Sequence, residues 1–216
     1  MAALFGSTLR FKSSSGPDLK SISPTAMFDY DRAVVAYHGT HRHAAQRLVD
    51  GEPFSPSNNR DDWLGHGIYF WENDPQRALE FAEHAADGSS RATVGRIKVP
   101  AIVGAVIDLG RCLNLLSAKH VDELKGAYDI CSVMPHFPQL TNDKAHFGAR
   151  YLDCAVIETL HEYRQKRGLL EYDSVRSVFW EGNPVYKSAG IKHRNHIQVC
   201  VRNAACIRGY FRPIED

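Results

Sequence analysis

Alternating apolar and polar residues predict a strand near the start of the chain, followed directly by a helix. Residues 32–38 alternate with a period of two, which places His38 on the same face as the apolar positions before it. Thr40 can cap a helix over about 41–50, and Gly51 is suited to end that helix. The pattern therefore predicts a strand that leads into a short surface helix.

The later apolar patterns predict a chain of mixed elements. In order, they predict a strand at 68–70, a helix at 76–86 capped by Asp74, strands at 93–99 and 101–109 on either side of Pro100, helices at about 117–127 and 144–166, and strands at 175–180, 195–201 and 206–211. Residues 1–26 are rich in Ser, Lys and Gly and predict a loosely ordered arm. The remainder, 27–216, is expected to form one α+β domain with a mostly helical stretch at about 110–175.

Composition narrows the class of protein. A hydrophobic content of 44% in 216 residues is typical of a globular chain. The formal net charge of +1 gives no global electrostatic reason to expect nucleic-acid binding. A local basic patch is still present at 192–194, where Lys, His and Arg follow one another.

The cysteines and the terminal sequence bear on the compartment. Five cysteines form no Cys-x-x-Cys pair and no zinc-like spacing, so free thiols in a reducing compartment are expected, with no metal. The first residues lack the layout of a signal peptide, and no apolar run reaches about 18 residues. We expect a cytoplasmic protein with no membrane partner, with export by a route that needs no cleaved signal left open.

Two short segments carry the candidate chemistry. Residues 63–70 read Trp-Leu-Gly-His-Gly-Ile-Tyr-Phe, so two glycines form a turn directly before a strand that delivers Tyr69. Aromatic rings present faces that attract flat, electron-poor or cationic groups. Upstream, residues 37–40 read Tyr-His-Gly-Thr, and His38 precedes Tyr69 by 31 residues.

These two segments together resemble the poly(ADP-ribose) polymerase and diphtheria-toxin branch of the ADP-ribosyltransferases. That branch has His-Gly-Ser/Thr on a first strand and Gly-x-Gly-Ile-Tyr-Phe about thirty residues later. The resemblance covers residues 33–108 well and the last strands loosely. It implies a split, mostly antiparallel β-core with an NAD cleft, flanking helices and a helical insertion at about 110–175.

The resemblance also implies roles for particular residues. His38 would hydrogen-bond the adenosine ribose, and the backbone of Gly39 would pair with the nicotinamide carboxamide. Tyr69 would stack on the nicotinamide ring, Phe81 is the candidate for a second stacking aromatic, and Thr40 would add a polar contact. Two structural alternatives stay open: His38 as a hydrogen-bonded core histidine, and Phe81 as an ordinary core aromatic on a helical stripe.

The family's third position differs in this chain. Related enzymes place a glutamate at the start of a late strand, but residues 195–201 contain no acid. His196 and Gln198 lie on the polar face of that strand and are candidates to replace it, as is Glu181 in the preceding turn. The missing glutamate argues for single transfer rather than chain elongation.

The resulting hypothesis is a mono-ADP-ribosyltransferase that uses NAD as a co-substrate and modifies an unidentified protein or nucleic acid, as a toxin, a defence effector or a housekeeping enzyme. The alternatives are a non-catalytic module that binds NAD or ADP-ribose, and an RNA 2′-phosphotransferase, a relative of the same fold that would need a more basic cleft. Phosphate-binding-loop, dinucleotide-fingerprint, nucleophile-elbow and zinc-protease motifs do not occur in the sequence.

Overall fold

Seven strands and four helices form within residues 32–88, 97–133 and 149–214, the parts of the chain that this computed structural model describes. The predicted arm at 1–26 lies outside them. The strands are β1 (Ala33–His41), β2 (Ile68–Glu72), β3 (Pro100–Asp108), β4 (Cys112–Asn114), β5 (Ser174–Phe179), β6 (His196–Val201) and β7 (Ile207–Phe211). The helices are α1 (Arg42–Val49), α2 (Pro75–Ala86), α3 (Ala118–Ser132) and α4 (Tyr151–Lys166). This mixture of helices and sheet agrees with the α+β prediction.

All seven strands belong to one sheet in the order β4-β5-β6-β2-β1-β3-β7. Neighbouring strands are antiparallel except β4 and β5, which run parallel. The pairing of β3 with β7 shifts register between Val106 and Ile107. The stretch expected to be mostly helical, about 110–175, contributes α3 and α4, and it also supplies β4 at one edge of the sheet.

The prediction that Thr40 caps the first helix is wrong. β1 stays paired with β3 as far as His41 opposite Pro100, so Thr40 remains inside the ladder. The cap of α1 is His41, whose Nδ1 accepts a hydrogen bond from the backbone N–H of His43 at 3.1 Å. Long-range pairing has overridden the local capping preference of threonine.

Two other predicted boundaries also differ. Residues 97–99 are not a strand, and Pro100 is the first residue of β3, a position where the missing N–H of proline is tolerated. Residues 93–96 lie outside the described ranges. The long helix expected from 144 starts only at Tyr151, since 149–150 are not helical, and 144–148 are again outside the described ranges.

The core lies on both faces of the sheet. One face carries an apolar cluster that includes Ile68, Phe70 and Val199. The other face packs on α3 and α4 through a second cluster that includes Ile157 and Cys200. The alternation predicted for residues 195–201 is thereby confirmed at the end of β6, where Val199 and Val201 belong to the first cluster and Cys200 to the second. All five cysteines are buried free thiols.

A buried ion pair joins β2 to β5 across β6. The Arg176 guanidinium donates to both carboxylate oxygens of Glu72, with Nε–Oε2 at 2.5 Å and Nη2–Oε1 at 2.9 Å. Their side chains are only 8% and 4% exposed. This two-point contact fixes the position of β2 relative to β5, because each buried charge is stabilised by the other.

Replacing Glu72 with alanine is expected to destabilise the fold by about 3–5 kcal/mol, because the buried Arg176 charge loses this carboxylate and its contact with Asn114 Oδ1 at 3.3 Å is uncharged. Glu52 is the matched control. It pairs with Arg47 at 3.6 Å on the surface, where loss of the pair costs about 1 kcal/mol or less. Urea unfolding of both variants measures the difference, and equal losses would contradict the assigned role of the buried pair.

His161 should make folding stability sensitive to acid. It is 2% exposed, its Nδ1 donates to the Ile157 carbonyl at 2.9 Å, and burial lowers its pKa from 6.5 to about 4. Between these pH values the His161 imidazole is protonated in the unfolded chain but neutral in the folded chain. Folding stability therefore falls as pH drops from 6.5 towards 4. The contribution of this residue is roughly 1–3 kcal/mol.

Urea unfolding across that pH range should therefore show a shallower acid loss in His161→Phe than in wild type. His193, an exposed histidine, is the control: its replacement by Gln removes no buried imidazole and should leave the slope as in wild type. Identical slopes in His161→Phe and wild type would contradict the assignment.

Candidate functional site

Strands β1 and β2 are paired over a short distance and then separate. Their register contains two pairs, Ala36 opposite Glu72 and Tyr37 opposite Trp71. Beyond that point β1 stays paired with β3, and β2 stays paired with β6 as far as Ile68. An interruption therefore opens between the two central strands. We call it the β1–β2 gap and define it by His38 and Gly39 on one side and Tyr69 on the other.

Gly39 presents backbone groups to this gap. In a strand, alternate residues direct their N–H and C=O to the same edge. The Val35 carbonyl accepts a hydrogen bond from Asn73 on the β2 side at 2.9 Å, so Tyr37 and Gly39 face that side as well. The described register pairs no β2 residue with Gly39. Its N–H and C=O therefore point into the gap side by side.

Helix α2 explains why this position is glycine. A Cβ built on Gly39 would lie 1.9 Å from the carbonyl oxygen of Ala78 and 3.3 Å from the Ala82 side chain. Both alanines are fully buried in α2. The helix thus packs directly on the strand backbone, and this contact holds β1 at the edge of the gap.

His38 bridges the gap with a hydrogen bond. Its Nδ1 lies 2.7 Å from the Tyr69 carbonyl oxygen, which can only accept, so Nδ1 carries the proton. The ring packs edge-on against Phe54 and Phe70, at 4.6 and 5.9 Å between centroids. Burial lowers the pKa of His38 from 6.5 to about 4. At neutral pH the imidazole is therefore uncharged, and its Nε2 has a lone pair that can accept a hydrogen bond.

Two hydrogen bonds hold the hydroxyl end of the Tyr69 side chain. Its hydroxyl donates to the Gly65 carbonyl at 2.7 Å and accepts from the Leu64 N–H at 2.9 Å. The ring is partly buried against the cluster on the α3–α4 face. Burial raises the pKa of the phenol well above its usual range, so it stays neutral.

The structure brings His38 and Tyr69 together at the gap, but it does not stack their rings. Strand alternation and the register place the Tyr69 ring on the face of Trp71 and Cys200, and the His38 ring on the face of Phe70. Contact between the two residues runs through the Tyr69 backbone carbonyl. A flat ligand in the gap would therefore meet an imidazole on one side of the sheet and a phenol on the other.

The ion pair between Glu158 and Arg202 holds the glycine turn before Tyr69 in place. Gly65 has φ +78°, and a Cβ there would lie 2.5 Å from Glu158 Oε1. The same oxygen accepts a hydrogen bond from the His66 N–H at 2.8 Å and pairs with Arg202 at 2.5 Å. Arg202 in turn donates to the His66 carbonyl. No motif in the sequence marked Glu158 or Arg202 as part of this site.

Cys154, His66 and Glu158 are arranged like a nucleophile, a base and an orienting acid. Cys154 Sγ lies 3.8 Å from His66 Nε2, and His66 Nδ1 lies 3.5 Å from Glu158 Oε2. The thiol, however, is 3% exposed, and burial, with the nearby Glu158 charge, raises its pKa to about 12. It also donates to the Asn59 carbonyl at 3.6 Å. A buried, protonated thiol is inert, so the group holds the loop in place.

Of the three residues considered as replacements for the missing glutamate, Gln198 lies nearest to Tyr69. The register pairs Tyr69 with Cys200 and Trp71 with Gln198, so Gln198 lies on the Tyr69 face about 7 Å further along the strand. Its side-chain carbonyl accepts a hydrogen bond from Trp63 Nε1 at 2.6 Å. That bond orients the amide and leaves its two N–H donors available.

His196 lies deeper and further from Tyr69, by about 13 Å of strand length. Its Nδ1 is 2.8 Å from the Arg194 carbonyl, so Nε2 is the unprotonated nitrogen. Nε2 is buried and has no hydrogen-bond partner among the described residues. The ring packs near Trp71 and Phe179, and burial lowers its pKa.

The remaining predicted residues lie around this face. Glu181 pairs with Arg77 of α2 at 2.9 Å, and Arg77 also pairs with Glu80. Phe81 packs on Trp71, with 5.0 Å between ring centroids, rather than beside the Tyr69 ring. Thr40 is partly buried in β1. The structure thus brings Gln198 to the Tyr69 face near the gap, whereas Glu181 follows the end of β5 that pairs with His196 and lies towards the other end of β2.

Comparison with known proteins finds an archaeal relative of low identity. No family model matches the chain, and no solved structure matches it. An uncharacterized protein of the archaeon Methanocaldococcus jannaschii is 26% identical over 198 residues, which covers 84% of this chain and 87% of that protein. Within the described residues, no helix is long and apolar enough to cross a membrane, and no group of His, Cys, Asp and Glu side chains is placed to hold a metal ion.

Substituting Gly39 with alanine should displace α2 from β1, because the new methyl group would overlap the Ala78 carbonyl oxygen. We expect a loss of about 2 kcal/mol or more in the free energy of unfolding, as for other overpacked sites. Gly126 in α3 is the matched control. A Cβ there meets nothing within 4 Å, so Gly126→Ala should be neutral or stabilising by up to about 1 kcal/mol. Urea unfolding measures the stability of the two variants. Equal stability would show that the packing of α2 on β1 does not require glycine at position 39.

Proposed function

We propose that this chain is an NAD-dependent mono-ADP-ribosyltransferase with an ADP-ribosyltransferase-like split β-core, and that the β1–β2 gap is its NAD site. The observation that carries the proposal is the unpaired edge of Gly39 opposite an anchored Tyr69. Free backbone donors and acceptors inside a sheet are rare, since an unsatisfied buried peptide group is costly. The register assigns no β2 partner to Gly39, and an edge left out of the ladder in this way favours a ligand that completes the pairing.

The nicotinamide carboxamide fits that edge. It offers one carbonyl acceptor and one NH₂ donor, which complement the N–H and C=O of a single residue in extended conformation. The Tyr69 ring would supply the stacking face, because its hydroxyl bonds to the turn hold the ring in one orientation. Orientation of this kind favours a reactive pose by removing rotational freedom before the reaction.

His38 suits a hydroxyl-rich part of the ligand. Its Nε2 lone pair accepts a hydrogen bond, as expected for a contact to a ribose hydroxyl. Its depressed pKa keeps the ring neutral above pH about 4, so it adds no positive charge beside the cationic nicotinamide. A histidine in this role differs from a core histidine only because its second ring nitrogen is free to bind a ligand.

The reaction chemistry follows from the leaving group. Nicotinamide is cationic in NAD and departs as a neutral base, so the enzyme has to stabilise the positive charge that develops on the ribose. We assign the orienting contact to the ribose to the Gln198 amide, which is positioned by Trp63. An amide carries no charge and stabilises an oxocarbenium ion less than a carboxylate would. Slow, single transfer is therefore expected.

A non-catalytic NAD-binding module is the second candidate. It is favoured by one observation, the absence of any acid in β6 between His196 and Val201. Such a module would bind NAD in the same gap without releasing nicotinamide, so the two candidates separate in a single assay.

The test combines NAD binding by calorimetry with nicotinamide release and transfer of adenine-labelled NAD to macromolecules in varied cell lysates. We expect binding, slow nicotinamide release and a labelled acceptor. Tyr69→Ala should reduce release at least about a hundredfold, since it removes the stacking face. Gln198→Ala should slow release while Gln198→Glu preserves or raises it, because a carboxylate would stabilise the ribose cation.

Tyr163→Ala is the matched control, since this partly buried tyrosine lies on α4 and not in the gap. It should release nicotinamide at the wild-type rate. Binding without release would favour the non-catalytic module. Wild-type protein that neither binds nor cleaves NAD would end the proposal.

A further inference from the structure

The segment between β5 and β6 is an ordered loop with an unusual surface. Backbone hydrogen bonds join its two arms, from Arg194 to Glu181 at 3.2 Å, from His193 to Asn183 at 3.0 Å and from Val185 to Ile191 at 3.0 Å. We refer to residues 180–194, which contain both arms, as the 180–194 loop. Its paired backbone holds the side chains in fixed places.

Large apolar side chains of this loop face solvent. Trp180 is 60% exposed, Tyr186 66% and Ile191 59%. The Trp180 indole is nevertheless fixed, because its Nε1 donates to the Gly190 carbonyl at 3.1 Å. Exposed aromatic rings held in one orientation indicate a binding surface, since folding gains nothing from leaving them in water.

The same loop is locally basic. Lys192 Nζ lies 3.9 Å from the centre of the Trp180 ring and covers one of its faces. Neither Lys187 nor Lys192 takes part in an ion pair among the described residues, whereas the acid at the base of the loop, Glu181, is already paired with Arg77. The loop therefore combines flat apolar faces with lysines that have no acidic partner among the described residues.

We propose that the 180–194 loop binds single-stranded nucleic acid. Unpaired bases stack on aromatic faces while lysines contact the phosphates, and a surface with both groups matches this chemistry. An acidic peptide would satisfy the lysines but leave Trp180 and Tyr186 in water. The small net charge of the whole chain is no obstacle, because phosphate contacts depend on the local surface.

The proposal does not depend on NAD. The loop contacts α2 through the Glu181–Arg77 pair and leads into β6 at His196, the end of that strand remote from Tyr69.

The test is fluorescence anisotropy with a labelled single-stranded RNA or DNA of about 12 nucleotides, titrated without NAD at two salt concentrations. Wild type should bind, and more weakly at high salt. Trp180→Ala and Tyr186→Ala should each weaken binding about fivefold to a hundredfold, as expected for loss of one stacked base. Lys187→Ala should reduce the slope of log binding constant against log salt concentration by roughly 1, as expected for loss of one phosphate contact.

Leu170→Ala and Lys166→Ala are matched controls, since Leu170 is a 66% exposed apolar residue and Lys166 an exposed lysine, both outside the loop. They should bind as wild type does. Absence of oligonucleotide binding at low salt would overturn the proposal. So would wild-type affinity in Trp180→Ala and Tyr186→Ala, or tighter binding to a glutamate-rich peptide or to anionic lipid vesicles. Because NAD is absent, none of these outcomes affects the test of NAD cleavage.

Discussion

The incomplete pairing of β1 with β2 is the constraint on which the candidate site depends. Each strand is fully engaged on its far side, β1 with β3 and β2 with β6, so neither can shift to close the gap without losing a longer ladder. Helix α2 fixes β1 by packing on Gly39, and the Glu158–Arg202 pair fixes the turn that leads into β2. The opening is therefore maintained from both sides by contacts outside it.

Charge is kept out of the gap itself. His38 and Tyr69 are both neutral at physiological pH because burial moves their pKa values in opposite directions. The nearby charged side chains are tied to partners, as Glu158 is to Arg202 and Glu72 to Arg176. A cationic ring entering the gap would thus meet dipoles and aromatic faces, and those contacts lose little strength at high salt.

The parts of the site that could be predicted from sequence are those set by local pattern. Glycines that allow a sharp turn, an alternating strand and the Asp74 cap of α2 all depend on near neighbours, so β1, β2 and α2 lie close to their expected positions. Thr40 shows the limit of that reasoning. Its capping preference is worth about 1 kcal/mol and cannot compete with continued pairing of β1 to β3.

The residues that sequence reasoning missed act over long separations. Glu158 and Arg202 are 44 residues apart, and Glu72 and Arg176 are 104 apart. No spacing rule links such positions, because only the order of strands in the sheet and the packing of α4 bring them together. The placement of the His38 and Tyr69 rings on opposite faces of the sheet was also beyond prediction, since the register of β1 against β2 determines how the two strands relate.

The two ends of the sheet have a consequence for behaviour at high concentration. At one end stands β4, only three residues long, and at the other stands β7, whose ladder is interrupted by a register shift. A foreign strand needs a long, flat row of free peptide groups on which to add. Within the described residues neither border provides one, which protects the sheet against the addition of strands from other molecules.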